Sequence, residues 1–139
     1  MPGGRDVLVI DTSVAAAWWF DDEVTPATDA VLERVASEGA VVPALFFAEV
    51  ANVLVQAERR RRVAPALVDR ILRIVTGLPI EVEGPQRSPA RALDLARAHR
   101  LTVYDAMYLE TAIRRGLPLA TLDADLKQAA RHVGVPLAL

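Results

Sequence analysis

The run Val7-Leu8-Val9-Ile10, closed by Asp11-Thr12-Ser13, constrains this chain more than any other stretch. Four consecutive apolar residues, mostly β-branched, read as a strand buried on both faces, the habit of a central strand in a parallel sheet. The run stops abruptly on a carboxylate and two hydroxyls. Open α/β sheets bind ligands just beyond the carboxyl ends of their strands, so Asp11 stands where a site would be. Asp11 or Ser13 also suits the N-cap of a following helix, and taken alone that role is sufficient. The rest of the chain has to decide between capping and chemistry.

The 139 residues fit one domain, expected to span 1–139, which buries roughly 68% of its unfolded surface. Apolar residues make up 53% and aromatic ones 5%, so the core is built from Ala, Val and Leu. There is no cysteine, which removes disulfide frameworks and thiolate metal sites. A net charge of −2 gives no global basic field of the kind many DNA-binding domains carry. All but one of the 16 basic residues are arginine, which suits phosphate recognition. A codon bias toward arginine explains the same count.

Two apolar stretches mimic membrane signals. Val7 to Phe20 is interrupted by Asp11, and its flank Arg5-Asp6 lacks the positive charge of a signal peptide. Val41 to Ala57 is broken by Pro43 and Glu49 and is too short to span. No membrane role is expected, and the cytoplasm is the expected compartment.

Taken in order, the chain alternates strands and helices. A short helix over Val14–Phe20 ends in the acidic break Asp21-Asp22-Glu23; Thr25 then caps a helix with Pro26 at its first position, running to Gly39. Trp18, Trp19 and Phe20 cannot all face inward from one helix, which leaves at least one for a neighbour or another subunit. Val41-Val42 is a second strand. A long helix from Ala44 to about Arg62 buries Phe46, Val50, Val53, Leu54 and Ala57. Along its other side runs a polar line, Glu49, Asn52, Gln56, Arg59 and Arg60. The run Arg59–Arg62 complements the helix dipole or offers a phosphate patch. A helix from Pro65 to Gly77 turns Leu67, Val68, Ile71, Leu72 and Val75 inward, and Ile80–Glu83 is a third strand nearer the sheet edge. Ser88-Pro89 opens a helix with core residues Ala92, Leu93, Leu95 and Ala96. Thr102 and Asp105 form a capping-box-like start to a helix that reaches Arg115. Leu117–Leu122 is a fourth strand ending on Asp123, Ala124–Val133 a last helix, and Val135–Leu139 a possible edge strand. This order predicts an α/β fold, a three-layer α/β/α sandwich around a central parallel sheet.

Four acids then share one expected edge. Asp11 and Asp123 follow strands, Asp105 opens a helix, and Glu49 lies among apolar neighbours on the long helix. Each has a bland reading as a cap or a solvated side chain; four on one edge are harder to dismiss. Two unit charges about 5 Å apart repel by roughly 3 kcal/mol at an effective dielectric near 20. Such a cluster holds protons or takes a cation. Oxygen-only ligands select Mg²⁺ or Mn²⁺ over Zn²⁺, and a carboxylate-held Mg²⁺ suits phosphodiester chemistry. It also lets an anionic backbone approach acidic residues.

Other chemistries find no residues. The only histidines, His99 and His132, fall on helices away from the strand ends, so a Ser–His–Asp arrangement has no base. No phosphate-cradling glycine loop follows the first strand. An aspartyl-phosphate phosphatase would carry a second Asp at position 13, which is Ser.

The quartet sits in segments that resemble the PIN-domain ribonucleases, and more closely the VapC-type toxins of toxin–antitoxin pairs. The matching pieces are Val9-Ile10-Asp11-Thr12-Ser13-Val14, Ala48-Glu49-Val50-Ala51-Asn52-Val53-Leu54, Leu101-Thr102-Val103-Tyr104-Asp105-Ala106-Met107-Tyr108-Leu109, and Leu119-Ala120-Thr121-Leu122-Asp123-Ala124-Asp125-Leu126. The resemblance spans nearly the whole chain in order. It implies a Mg²⁺- or Mn²⁺-dependent endoribonuclease with Asp11, Glu49, Asp105 and Asp123 as its acidic quartet. Asp11 and Asp105 are then direct ligands, with Glu49 and Asp123 completing the site directly or through water. Thr12, Ser13, Asn52 and Thr121 fall where the family has supporting or substrate-orienting polar residues, and Asp125 is read as part of the helix start. The resemblance further implies an RNA substrate, a homodimer and a cognate antitoxin, with Trp18, Trp19, Phe20 and the long helix as candidate contacts. Two other functions stay open: a non-catalytic interaction module with the same fold, and a nuclease acting in RNA processing or on DNA.

Overall fold

The structure, a computed structural model, describes residues 6–84 and 89–139. Four parallel strands form one sheet in the order β3-β2-β1-β4. Strand β1 (Leu8–Ile10) is central and fully buried, as its unbroken apolar run requires. It pairs with β2 (Ala40–Val42) in the register Leu8↔Ala40 and with β4 (Leu119–Ala120) in the register Val9↔Leu119. Strand β3 (Ile80–Val82) forms the exposed edge beyond β2.

The strand order explains the layers. From β1 the chain steps outward through α1 (Thr12–Ala17) and α2 (Pro26–Glu38) to β2, then through α3 (Phe46–Arg59) and α4 (Pro65–Thr76) to β3. It then reverses direction through α5 (Ala90–His99) and α6 (Val103–Arg115) to reach β4 on the far side of β1, and closes with α7 (Ala124–Val133). Right-handed crossovers in opposite directions place their helices on opposite faces. Helix α3 accordingly packs on α1 and α4, while α6 packs on α5, α7, β1 and β4. The three-layer α/β/α expectation holds. The reversal leaves a topological switch between β1 and β4, where open sheets carry their ligands.

Local signals fix most boundaries. Thr25 caps α2 through a reciprocal pair with Thr28, with Pro26 at the first position. Gly116 and Gly134 end α6 and α7 at φ 64° and 78°. Two other helices end the same way on arginine: Arg61 after α3 has φ 58° and Arg100 after α5 has φ 56°. Arg62 N donates to Ala57 O and Arg61 N to Glu58 O, closing α3 in a Schellman turn without glycine.

Several expectations shift. Helix α3 is shorter than Ala44–Arg62, because that turn stops it and a turn after Pro43 precedes it. Leu67 and Leu93 are not core residues but 46% and 40% exposed, on helices whose inward faces are carried by Ile71, Val75 and Ala92. Strand β4 is two residues rather than six, since Leu122 N and Asp123 N donate to the hydroxyls of Ser13 and Thr121 instead of to a neighbouring strand. The expected C-terminal strand reduces to one bridge, Leu119↔Leu137. The expected cap Ser88 lies outside the described residues, and Pro89 precedes α5.

The arginine run is partly spoken for. Arg62 pairs with Asp22 at 3.0 Å and Glu23 at 3.4 Å and lies 4.1 Å over the Phe20 ring, so it ties α3 to the acidic break after α1. Of the aromatic trio, Phe20 is buried and Trp18 donates Nε1 to Thr28 O, which leaves Trp18 and Trp19 half-buried. No helix among the described residues is long and apolar enough to cross a membrane.

Candidate active site

The site is built from the ends of β1 and β4 and the first turns of α1, α3, α6 and α7. Asp11 follows β1 directly and is 4% exposed. Its Oδ1 accepts Ser13 Oγ at 2.6 Å and Val14 N at 3.2 Å, and its Oδ2 accepts Thr121 Oγ1 at 2.5 Å. It is therefore both the N-cap of α1 and the most buried acid of the quartet. Capping and site position coincide because a helix start and a strand end meet at this one residue.

Burial pushes the Asp11 carboxyl up to about 6, against the opposing pull of its three hydrogen bonds, and the Asp105 charge adds to the rise. Asp105, half-buried in the first turn of α6, is raised by burial and by the Asp123 charge, while hydrogen bonding to Thr102 works against both. Thr102 caps α6 by accepting Asp105 N at 3.1 Å, so the cap belongs to Thr102 and Asp105 supplies the backbone N–H that it holds. Asp123 caps α7 through Leu126 N at 2.8 Å and stays exposed.

Glu49 reaches the same region from the first turn of α3. Its Oε1 accepts the Tyr108 hydroxyl at 2.5 Å and Thr12 Oγ1 at 3.2 Å. The phenol is buried on α6, one turn beyond Asp105. Burial and the bond to Glu49 raise the Tyr108 pKa, and the Glu49 and Asp11 charges raise it further, so it stays protonated and donates. The electrostatic neighbours thus run Asp123, Asp105, Asp11, Tyr108 and Glu49, which places all four acids around one region.

The supporting residues divide. Ser13 bridges Asp11 and Leu122 N, and Thr121 bridges Asp11 and Asp123 N, so both hold the β1 and β4 ends together. Thr12 joins Glu49 to Tyr108. Asn52 is exposed one turn beyond Glu49, its side chain without a hydrogen bond among the described residues, as is that of Asp125 in the first turn of α7. Tyr108 was not singled out from sequence, although its position three residues after Asp105 put it on the same helical side.

Among the described residues, no three acidic or histidine side chains close tightly enough to share one ion. Carboxylates without a counter-charge repel and stand apart. The donor set itself, oxygen only and raised at Asp11 and Asp105 by burial and then by a neighbouring carboxylate, fits a hard divalent cation. The histidines stand outside it: His132 lies about 14 Å along α7 from Asp123, and its ring faces His99 at 5.9 Å between centroids.

The family model for the PIN domain matches residues 8–132. The chain belongs to the PIN domain family. PIN domains are generally nucleases, and PIN nucleases typically use divalent metals. Solved structures resemble this PIN domain, three of them as follows. PAE2754 from Pyrobaculum aerophilum is 25% identical with a TM-score of 0.70, covering 90% of this chain and 84% of that one. A toxin–antitoxin complex from Klebsiella pneumoniae is 18% identical with a TM-score of 0.64, covering 95% and 98%. FitAcB from Neisseria gonorrhoeae is 20% identical with a TM-score of 0.62, covering 94% and 95%. At those identities the last two speak for the fold alone. A search of curated proteins finds no match.

Proposed function

We propose that this PIN domain is a Mg²⁺- or Mn²⁺-dependent endoribonuclease, a single catalytic unit that acts in the cytoplasm as the toxin of a toxin–antitoxin pair. One observation carries the catalytic reading: a buried Asp11, fixed by three hydrogen bonds at the β1–β4 switch, with the Asp105 charge against it. Burial raises both carboxyls, Asp105 adds to the rise at Asp11 and Asp123 to the rise at Asp105, and such a run of acids needs either protons or a cation. Family membership favours the cation.

Asp11 and Asp105 would hold the ion, with Glu49 and Asp123 completing the set. When bound, it supplies a polarised phosphoryl oxygen and an activated water. The chain's own contribution is orientation. Ser13 and Thr121 fix Asp11, Thr12 and Tyr108 fix Glu49, and Asn52 stands exposed beside the site for the substrate. As water adds to phosphorus and the bond to the departing ribose oxygen breaks, a carboxylate of the quartet would take the water's proton and solvent would protonate the departing oxygen.

The toxin reading draws on the shared fold: the match to the Klebsiella toxin–antitoxin complex covers 95% of this chain and 98% of that one. A small antitoxin and a second copy of this chain are the proposed partners, with half-buried Trp18 and Trp19 and the exposed side of α3 as contacts. Induced expression tests the whole reading. Wild type should arrest growth and generate new RNA 5′ ends, Asp11→Asn should do neither, and, where a small protein is encoded immediately upstream, its co-expression should restore growth. Growth arrest by Asp11→Asn would favour a non-catalytic interaction module; new ends confined to DNA would favour a DNA nuclease.

A further inference from the structure

We infer that Tyr108 is a positioning residue: with Thr12 it clamps Oε1 of Glu49 and so reserves Oε2 for the cation. The inference rests on the reading of this site as a divalent-cation nuclease. Both protein hydrogen bonds to Glu49 fall on Oε1, at 2.5 Å from Tyr108 and 3.2 Å from Thr12, and the two donor oxygens lie 3.2 Å apart. Among the described residues no other group bonds this carboxylate. The three side chains come from α1, α3 and α6, so the clamp locks three helices around one carboxylate orientation.

The burial is what makes the clamp stiff. Tyr108 heads the largest fully buried side chains, at 1% exposure, and its ring has no room to choose another rotamer. Glu49 is half-buried on a long, flexible stem, and without a partner it would sample several rotamers. A phenylalanine would fill the same space and satisfy the same packing. What tyrosine adds is one hydroxyl, and that hydroxyl is spent on Glu49. Groups that orient a ligand typically change metal affinity or activity by about 10- to 100-fold when removed.

The test is Tyr108→Phe, followed by calorimetric titration with MnCl₂, kcat and KM on a short RNA, and melting in EDTA. Mn²⁺ binding should weaken about tenfold and kcat should fall about tenfold, with KM for RNA changed by less than about twofold. Thr12→Val should shift Mn²⁺ affinity the same way by a smaller factor, and Thr12→Ser should restore it. Wild-type Mn²⁺ affinity in Tyr108→Phe, whatever its melting temperature, would reduce Tyr108 to a packing residue and overturn the inference alone. A wild-type protein that takes up no Mn²⁺ would overturn both the inference and the nuclease reading beneath it. If Tyr108→Phe does not fold, the Thr12 pair decides: equal affinities in Thr12→Val and Thr12→Ser contradict the clamp.

Discussion

Thr121 donates its hydroxyl to Oδ2 of Asp11 across 2.5 Å, joining residues 110 positions apart at the ends of β4 and β1. Thr121 Oγ1 in turn accepts Asp123 N at 3.0 Å, so one buried side chain sets both the innermost acid and the start of α7. Removing the hydroxyl leaves a buried carboxylate oxygen and a backbone N–H without their partner. Thr121→Val, nearly equal in shape, should therefore cost about 1–3 kcal/mol in urea melts. RNA cleavage should fall by about tenfold or more, since Asp11 loses an orienting bond. Thr121→Ser should retain most of both, which separates the hydroxyl from the methyl.

Asp11 should make the metal-free protein less stable as pH rises. Its folded carboxyl releases its proton near 6, whereas the unfolded chain releases it near 3.8. Between those values the folded state binds more protons, so stability falls with pH across that window and levels above it. The full shift corresponds to about 3 kcal/mol. In EDTA, Asp11→Asn should flatten this slope and gain relative to wild type from pH 4 to pH 7. Adding Mn²⁺ at pH 7 should raise the melting temperature of wild type and not of Asp11→Asn. Parallel pH profiles for the two proteins would contradict the burial argument.

Asp123 and Asp125 should separate cleanly. Asp123 caps α7 and raises Asp105, whereas Asp125 is exposed in the first turn, its side chain without a hydrogen bond among the described residues. Asparagine caps as well as aspartate, so Asp123→Asn keeps the helix and removes only the charge. Cleavage should drop about tenfold or more in Asp123→Asn, by the general cost of losing a site ligand or its partner, and stay near wild type in Asp125→Asn. The reverse order would move the fourth acid of the site to Asp125.

Arg100 ends α5 at φ 56°, a left-handed conformation that costs a residue with a Cβ about 1 kcal/mol. Arg100→Gly should raise the melting temperature by about 3 °C after the entropy of the added glycine is offset. Cleavage activity should not change. Differential scanning calorimetry reads the first and a gel assay the second.

Much of this arrangement is visible in the sequence because it is local. The buried run Leu8–Ile10, the caps Thr25 and Thr102 and the stops Gly116 and Gly134 each act within a few residues, and each stands where its neighbours placed it, with Val7 left half-buried just before the strand. The four acids are legible through their contexts at strand ends and helix starts. What was not legible depends on contacts between distant segments. Tyr108 reads as an ordinary core aromatic until folding brings it against Glu49, 59 positions away. Strand β4 looks six residues long because nothing local says that Ser13, 109 positions earlier, will take Leu122 N out of the ladder. Leu67 shares the apolar spacing of Val68 and Ile71, and spacing alone does not say which flank of a wide stripe meets the neighbouring helix.

Cleavage of a defined RNA by purified protein, followed with and without divalent cation, tests metal-dependent catalysis at Asp11 most directly. Wild type should cut internally in Mg²⁺ or Mn²⁺ and stop in excess EDTA, and Asp11→Asn, folded by circular dichroism, should not cut in either condition. Undiminished cleavage by Asp11→Asn, or by wild type in EDTA, would contradict a metal-dependent nuclease built on Asp11.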